Sequence, residues 1–331
     1  MKKPRVYVSP SATRKSGYPS RYFLHLKREL AAWYDVLEAD NRPCLMQSGA
    51  LLRASLKADA AVLSFVENIA FHKLALLQTC LALLALDIMR LRRCRIVFIC
   101  HNPRPHQGEN RLSSLLFARL FKYADLIVAH TENTAALVRE RAGEKKLLFV
   151  PHPTEAPVHA AAADPVDVLI WGTVMPYKGV AEFLAEPAVR NSGLKIKVVG
   201  DCPDAGLSAR IRELANENIR FEQRRPEMDE VASLVAGSRF VLFPYLPGSI
   251  SGSGTLVDTL RFGGNPVGPD VGAFRELAAL GLCRVYHSTE ELLEILHSGW
   301  QPDRAAVDEY LSANSWPAFT KAIVERIKES V

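Results

Sequence analysis

Short apolar runs rich in β-branched residues alternate along this chain with longer stretches in which apolar positions recur every three or four residues. The first pattern predicts strands and the second amphipathic helices. Strands are expected at 5–9, 34–38, 60–66, 95–100, 126–129 and 147–150. A second series is expected at 167–171, 195–199, 219–222, 240–243, 266–268 and 283–286. The strand runs are apolar throughout rather than alternating, which is the pattern of parallel sheets covered by helices on both faces. Two such series predict an α/β chain with two Rossmann-like domains. Pro151-His152-Pro153 breaks the pattern, and 154–164 has the composition of a linker. The expected domains are therefore 1–153 and 154–331, with an amphipathic last helix at about 315–330 packing back towards the first.

Composition narrows the field. A chain of 331 residues suits two cores rather than one. Its 48% hydrophobic and 23% charged residues are ordinary for a globular protein. The net charge of +5 is mildly basic, but no Lys/Arg run is interleaved with aromatic residues, which argues against a nucleic-acid partner. It is compatible with an anionic substrate or an anionic membrane surface. The first residues run straight into a strand without the apolar core of a signal peptide. The six cysteines have no metal-binding or redox spacing and read as buried or free thiols in a reducing compartment. The expected location is the cytoplasm.

One apolar stretch stands apart. Residues 74–89 are nearly all apolar, interrupted by Gln78 and Asp87, and Arg90, Arg92, Arg93 and Arg95 follow. The stretch is short of the roughly 20 residues a membrane span needs. Two readings remain: a helix buried between sheet and neighbours, which is favoured, or a helix touching an anionic bilayer surface.

Ligands of open parallel sheets bind at the C-terminal ends of the strands. After strand 240–243 a loop of small residues (Ser251, Gly252, Ser253, Gly254, Thr255) opens a helix. The amides at such a helix start carry partial positive charge and can hold a phosphate. Asp258 follows one turn in, where a carboxylate can accept from ribose hydroxyls. Lys178, in the strand–turn–helix segment 169–179, can neutralise a diphosphate or be a solvated lysine beside a capping glycine. His101-Asn102 ends strand 95–100, where the pair can bond sugar hydroxyls or phosphate. A metal reading of His101 with His106 lacks a partner at ligand spacing. Glu67 ends strand 60–66 and can serve as general base on a hydroxyl, or be a charge at a helix start.

Together these segments resemble a family. Tyr177-Lys178-Gly179, the segment from Pro244-Tyr245 through Ser251-Gly252-Ser253 to Asp258, and Gly264-Asn265-Pro266-Val267 with Pro269-Asp270-Val271-Gly272 and Glu276-Leu277 look like the C-terminal half of group 1 (family 4-like) glycosyltransferases of GT-B fold. His101-Asn102-Pro103 with Pro105-His106 looks like a segment of the bacterial members that build exopolysaccharide, and Ser16-Gly17-Tyr18-Pro19 sits where these have a glycine-containing first loop. The resemblance implies two Rossmann-like domains around an inter-domain cleft, the first binding the acceptor and the second the nucleotide sugar. It implies that Lys178 contacts the donor diphosphate, that the 251–255 loop gives it amides, that Asp258 binds the ribose and that Gly17 lies near the diphosphate. His101 would lie by the donor sugar. Ile250 and Thr173 depart from the family, standing where it has a sugar-binding glutamate and often an arginine. Arg224 or Arg225 would then supply the missing charge, and Glu67 would be the base if the enzyme inverts. The implied activity is hexosyl transfer from a UDP- or GDP-linked sugar to a saccharide hydroxyl, the acceptor being lipid-linked, in bacterial polysaccharide biosynthesis at the inner face of the plasma membrane. No metal and no further cofactor is expected. A non-catalytic subunit and a GT-B nucleotide-sugar epimerase are the alternatives.

Overall fold

Among the described residues twelve strands form at the apolar runs, most within a residue or two of the expected bounds. The computed structural model describes residues 3–10, 21–37, 46–101, 110–246 and 253–329. They fall into two units, Met1–Pro151 with Trp316–Val331, and His152–Ser315. The first unit contains β1 (Arg5–Ser9), α1 (Arg21–Leu30), β2 (Asp35–Leu37), α2 (Met46–Ser55), β3 (Ala60–Leu63), α3 (Ala75–Leu91), β4 (Arg95–Cys100), α4 (Arg111–Tyr123), β5 (Leu126–Ala129), α5 (Glu132–Ala142) and β6 (Leu147–Phe149). The second contains β7 (Val166–Trp171), α6 (Val180–Ala185), α7 (Pro187–Arg190), β8 (Ile196–Val199), α8 (Ala205–Leu214), β9 (Ile219–Glu222), α9 (Met228–Ala236), β10 (Ser238–Leu242), α10 (Gly254–Arg261), β11 (Pro266–Pro269), α11 (Gly272–Ala279), β12 (Arg284–Tyr286), α12 (Thr289–His297) and α13 (Arg304–Ala313). The last helix, α14 (Trp316–Glu329), returns to the first unit.

Each unit is built on one six-stranded parallel sheet, in the orders β2-β1-β3-β4-β5-β6 and β12-β11-β10-β7-β8-β9. Strands such as Ala60–Leu63 and Ile196–Val199 are buried at every position, as strands covered on both faces must be. In the first unit one sheet face packs Leu51, Leu86, Met89, Leu116 and Leu120. The other packs Val6, Val8 and Leu26 against Trp316, Phe319, Ile323 and Ile327, so α14 fills the layer that α1 begins. Each such side chain taken from water contributes roughly 1.5–3 kcal/mol. The chain enters and leaves the second unit side by side: the Thr154 amide donates to Asn314 O at 3.0 Å, and Thr154 bridges to Ser315.

Local chemistry sets the element ends. Asn110 opens α4 by accepting from the Ser113 amide at 2.8 Å, while the Ser113 hydroxyl receives the Asn110 amide at 2.9 Å. β3 stops at Leu63, earlier than its apolar run, because Phe65 adopts a left-handed backbone (φ 55°) and turns the chain into a 3-10 segment, Val66–Phe71. Helix α3 is neither of the two things its composition allowed in full. It buries Ala82, Ala85, Leu86 and Met89 and leaves Leu76, Leu77 and Leu84 exposed. Among the described residues no helix is long and apolar enough to cross a membrane.

Candidate functional site

The second sheet changes direction between β7 and β10: β8 and β9 run outward on one side of β7, then the chain returns to place β10, β11 and β12 on the other. Such a reversal leaves an opening at the strands' C-terminal ends, and the loops after β7 and β10 border it. These loops are joined through their backbones. Gly179 has φ 64°, and a Cβ there would lie 2.2 Å from the carbonyl oxygen of Pro244. The Leu246 amide donates to Tyr177 O at 3.0 Å. Only glycine satisfies both the left-handed backbone and the close approach.

Lys178 sits on this junction. Its Nζ is 5.6 Å from the centre of the Tyr245 ring and 3.7 Å from where a side chain on Gly172 would begin. The Thr255 methyl lies 3.2 Å from the same point. An ammonium over an aromatic face is held by the ring quadrupole. Desolvation lowers the Lys178 pKa, with Tyr177 acting weakly the other way. The place therefore suits a cation that an incoming anion re-stabilises.

Helix α10 begins alongside. Its N-cap, Ser253, does not bond the helix amides. The Ser253 hydroxyl instead pairs with Thr255 Oγ1 at 2.8 Å and the Tyr245 hydroxyl at 3.3 Å. The first-turn amides of α10 are thus left without a side-chain cap, at the positive end of the helix dipole. Deeper in, Thr259 Oγ1 accepts from Trp171 Nε1 at 3.0 Å and donates to Thr255 O at 2.9 Å, tying β7 to α10. The His152 ring lies 3.4 Å from where a Cβ on Gly254 would stand. His152 Nδ1 is 3.0 Å from Pro153 O, so that nitrogen carries the proton. Desolvation pushes this imidazole down to about 4, leaving it neutral at the helix start.

Two expected donor contacts have other engagements. Asp258 accepts from Arg261 Nη1 at 3.3 Å, and buried Arg261 also pairs with Glu155 at 3.0 Å. A ribose on Asp258 would share the carboxylate with that guanidinium. Arg224 follows β9, the edge strand, where Glu222 (2.9 Å) and Glu230 hold it, and those carboxylates raise its pKa further. β9 is separated from β10 by β7 and β8, so Arg224 is not brought together with Lys178 and Thr255. Gly17, Ser251 and Gly252, with Asn102, His106 and Ile250, lie outside the described residues.

The first sheet reverses between β1 and β3. Glu67 follows β3 in the first turn of the 3-10 segment, 6% exposed, with Oε2 lacking a hydrogen-bond partner among the described residues. Burial pushes its carboxyl up to about 7, against a backbone contact that lowers it. Beside it in sequence, Phe65 stacks on His101 at the end of β4, with ring centres 4.7 Å apart and 8° between planes. The edge of Tyr22 meets His101 at 5.0 Å, and His130 lies 5.5 Å away. Nδ1 of His130 is 2.8 Å from Val150 O and must donate, so Nε2 accepts from the Tyr22 hydroxyl, also at 2.8 Å. Trp316 closes on Tyr22 with centres 4.9 Å apart. A buried carboxyl poised between its two forms and a histidine in an aromatic cage thus stand on neighbouring strand ends.

Tyr22, His130 and His152 carry these arrangements. Sequence reading marked His130 only as a polar residue directly after strand 126–129, a place where such sheets bind ligands, and did not select Tyr22 or His152. Tyr22 and His152 had no such signal, because their neighbours are far away in sequence.

No protein-family model matches this chain, and no curated protein is detectably similar in sequence. Solved structures do share its fold. HepE of Anabaena, crystallised with UDP and glucose, superposes with a TM-score of 0.65 at 12% identity, over 98% of this chain and 100% of that one. Sucrose-phosphate synthase of Thermosynechococcus elongatus gives 0.69 at 11% identity, over 99% of each chain. AviGT4, a glycosyltransferase involved in avilamycin A biosynthesis, gives 0.64 at 13% identity, over 98% and 97%. These are glycosyltransferases of GT-B architecture, and the chain has their fold: two α/β, Rossmann-like domains, each with a six-stranded parallel sheet.

Proposed function

We propose that this protein is a glycosyltransferase that moves a sugar from a nucleotide diphosphate sugar to a hydroxyl of a saccharide acceptor. The observation that carries the reading is Lys178 lying over Tyr245, against Gly172 and Thr255, at the uncapped start of α10. A partly desolvated ammonium and helix amides without a side-chain cap are what a departing diphosphate needs. Support comes from HepE, whose structures hold UDP and UDP-glucose, which makes a UDP-linked hexose the first donor to test.

In this reading the acceptor oxygen attacks the anomeric carbon, the bond to the phosphate oxygen breaks, and its electron pair leaves with the diphosphate. Lys178 and the α10 amides stabilise that charge, and Asp258 receives the ribose. Glu67 takes the acceptor proton if the configuration inverts, which its carboxyl near neutrality allows. His101, held by Phe65 and Tyr22, bonds the sugar. The acceptor is a lipid-linked saccharide, and the reaction belongs to polysaccharide assembly on the cytoplasmic face of a membrane.

A thermal-shift panel of UDP, GDP, ADP and their sugar conjugates tests the donor, since a ligand at 100 times its dissociation constant stabilises by about 2.7 kcal/mol. Stabilisation by one nucleotide, lost in Lys178→Ala, is expected. If no nucleotide stabilises the protein, the reading fails and a non-catalytic subunit is favoured, in keeping with Thr173 at the usual arginine position. Product formed from donor alone would indicate an epimerase.

A further inference from the structure

The exposed face of α3 is the strongest feature that sugar transfer leaves unused. Leu76 is 66% exposed, Leu77 47% and Leu84 49%, while the opposite face of the same helix is fully buried. A helix on a sheet ordinarily turns charge to water on this side. Every exposed residue of α3 from Leu76 to Leu84 is instead apolar, Cys80 included. Leu91 at the end of α3 and Leu115 on neighbouring α4 extend the patch. Apolar surface gathered in this way marks an interaction site.

The charges around it are mostly basic, although Arg90 lies 3.6 Å from Asp125. Helices α2, α3 and α4 hold five basic side chains (Arg53, Arg90, Arg111, Arg119, Lys122) against one acidic, Asp87. Asp87 is neutralised by Arg119 at 2.5 Å and receives the Tyr123 hydroxyl at 2.8 Å. Lys73 stands exposed before α3, and Arg92 and Arg93 after it. A second copy of this chain meeting the face symmetrically would set these cations against their own images. An apolar strip about 25 Å long, bordered at both ends by cations, fits a partner with an apolar interior beneath an anionic surface.

We infer that the outer face of α3 docks this protein on an anionic lipid bilayer, with Leu76, Leu77 and Leu84 inserted among the acyl chains and Lys73, Arg92 and Arg93 at the lipid phosphates. The helix lies in the interface rather than crossing it. This docking does not depend on the sugar-transfer reading, and the two are measured separately.

The test is flotation of the whole protein with phosphatidylcholine vesicles, with and without phosphatidylglycerol, at low and high salt. The protein is expected to float with the anionic vesicles only, and to be released by salt. The variant Leu76→Gln/Leu77→Gln/Leu84→Gln removes apolar area while keeping helix propensity. It should lose far more than tenfold in partitioning, because each leucine accounts for about tenfold. Lys73→Glu/Arg93→Glu should lose roughly tenfold or more on anionic vesicles. Circular dichroism melts and nucleotide thermal shifts of both variants should match the unaltered protein, which separates lost docking from lost folding and from a failed donor site. Absence of the protein from anionic vesicles, or undiminished flotation of the leucine variant, overturns the inference. So does a sedimentation result in which the unaltered chain dimerises, or holds an acidic protein, through these leucines without binding vesicles.

Discussion

The backbone of Gly179 approaches the carbonyl oxygen of Pro244 so closely that a Cβ there would stand 2.2 Å from it. Residues 177–179 and 244–246 are therefore joined through their backbones, and Lys178 is positioned by that junction. Gly179→Ala should separate them. We expect a loss of more than about 1 kcal/mol of stability in the second unit, together with a weaker nucleotide thermal shift. An alanine variant with unchanged melting and nucleotide affinity would show that the junction tolerates opening.

Lys178→Ala should raise the donor Michaelis constant and lower turnover. One charge-assisted contact to the leaving phosphate is worth roughly 1.5–3 kcal/mol, or about 10- to 100-fold. The pH dependence has a definite sign. Desolvation lowers this lysine's pKa, so its charge, and nucleotide affinity with it, should fall on the alkaline side earlier than for a solvated lysine. Calorimetric titration across alkaline pH measures this, and Lys178→Arg should move the fall to higher pH.

Glu67 carries an activity prediction and a stability prediction. As a base it must be ionised, so transfer should decline as pH falls through about 7. Stability runs oppositely, because the folded state holds the proton more tightly than the unfolded chain. The stabilisation is full below about 4.5 and is lost as pH rises through about 7. Glu67→Gln should abolish that loss, making the variant more stable at alkaline pH by up to about 3 kcal/mol while depressing transfer. Chemical denaturation at acid and alkaline pH reads the first effect and initial rates the second. Equal stability profiles for the two proteins would contradict the burial argument.

Asp258 and Glu155 share Arg261, and comparing them separates support from binding. Asp258→Asn and Glu155→Gln each leave the buried guanidinium with one carboxylate, and each should lower stability by about 1–3 kcal/mol. Only Asp258→Asn should also weaken nucleotide binding. If both variants bind nucleotide as the unaltered protein does, the ribose contact lies elsewhere.

Tyr22→Phe removes the hydroxyl that His130 accepts while keeping the ring, and should destabilise by about 1 kcal/mol. Phe319→Ala, in the same layer, leaves a cavity and should cost about 3–5 kcal/mol. Thermal melts followed by near-ultraviolet dichroism distinguish them.

Much of the architecture was legible because parallel strands buried on both faces are written as unbroken apolar runs. Val97–Phe98–Ile99 can be little else, and the apolar stripe of α14 marked it as a helix with one buried face. Where apolar residues continue past a strand the reading overran: Phe65 and Val66 extend the β3 run, but the left-handed turn at Phe65 ends it. Helix α10 was readable because its signal is local, a small-residue loop followed by a helix. The pairing of Arg224 with Glu222 and Glu230 went unread, although both carboxylates stand close in sequence. The Tyr22–His130 pair spans 108 residues, and no local pattern encodes it. In α3 both faces are apolar, so periodicity was silent on which one the sheet would take.

The placement of α14 also bears on how the molecule is made. As the polypeptide emerges from the ribosome, the β1–α1 layer around Val6, Val8 and Leu26 must wait for Trp316, Phe319 and Ile323, which follow far later in the chain. The layer that β1 and α1 begin is therefore finished only once α14 has emerged, and a nascent chain released before that helix would be left with a greasy flank for chaperones to shelter.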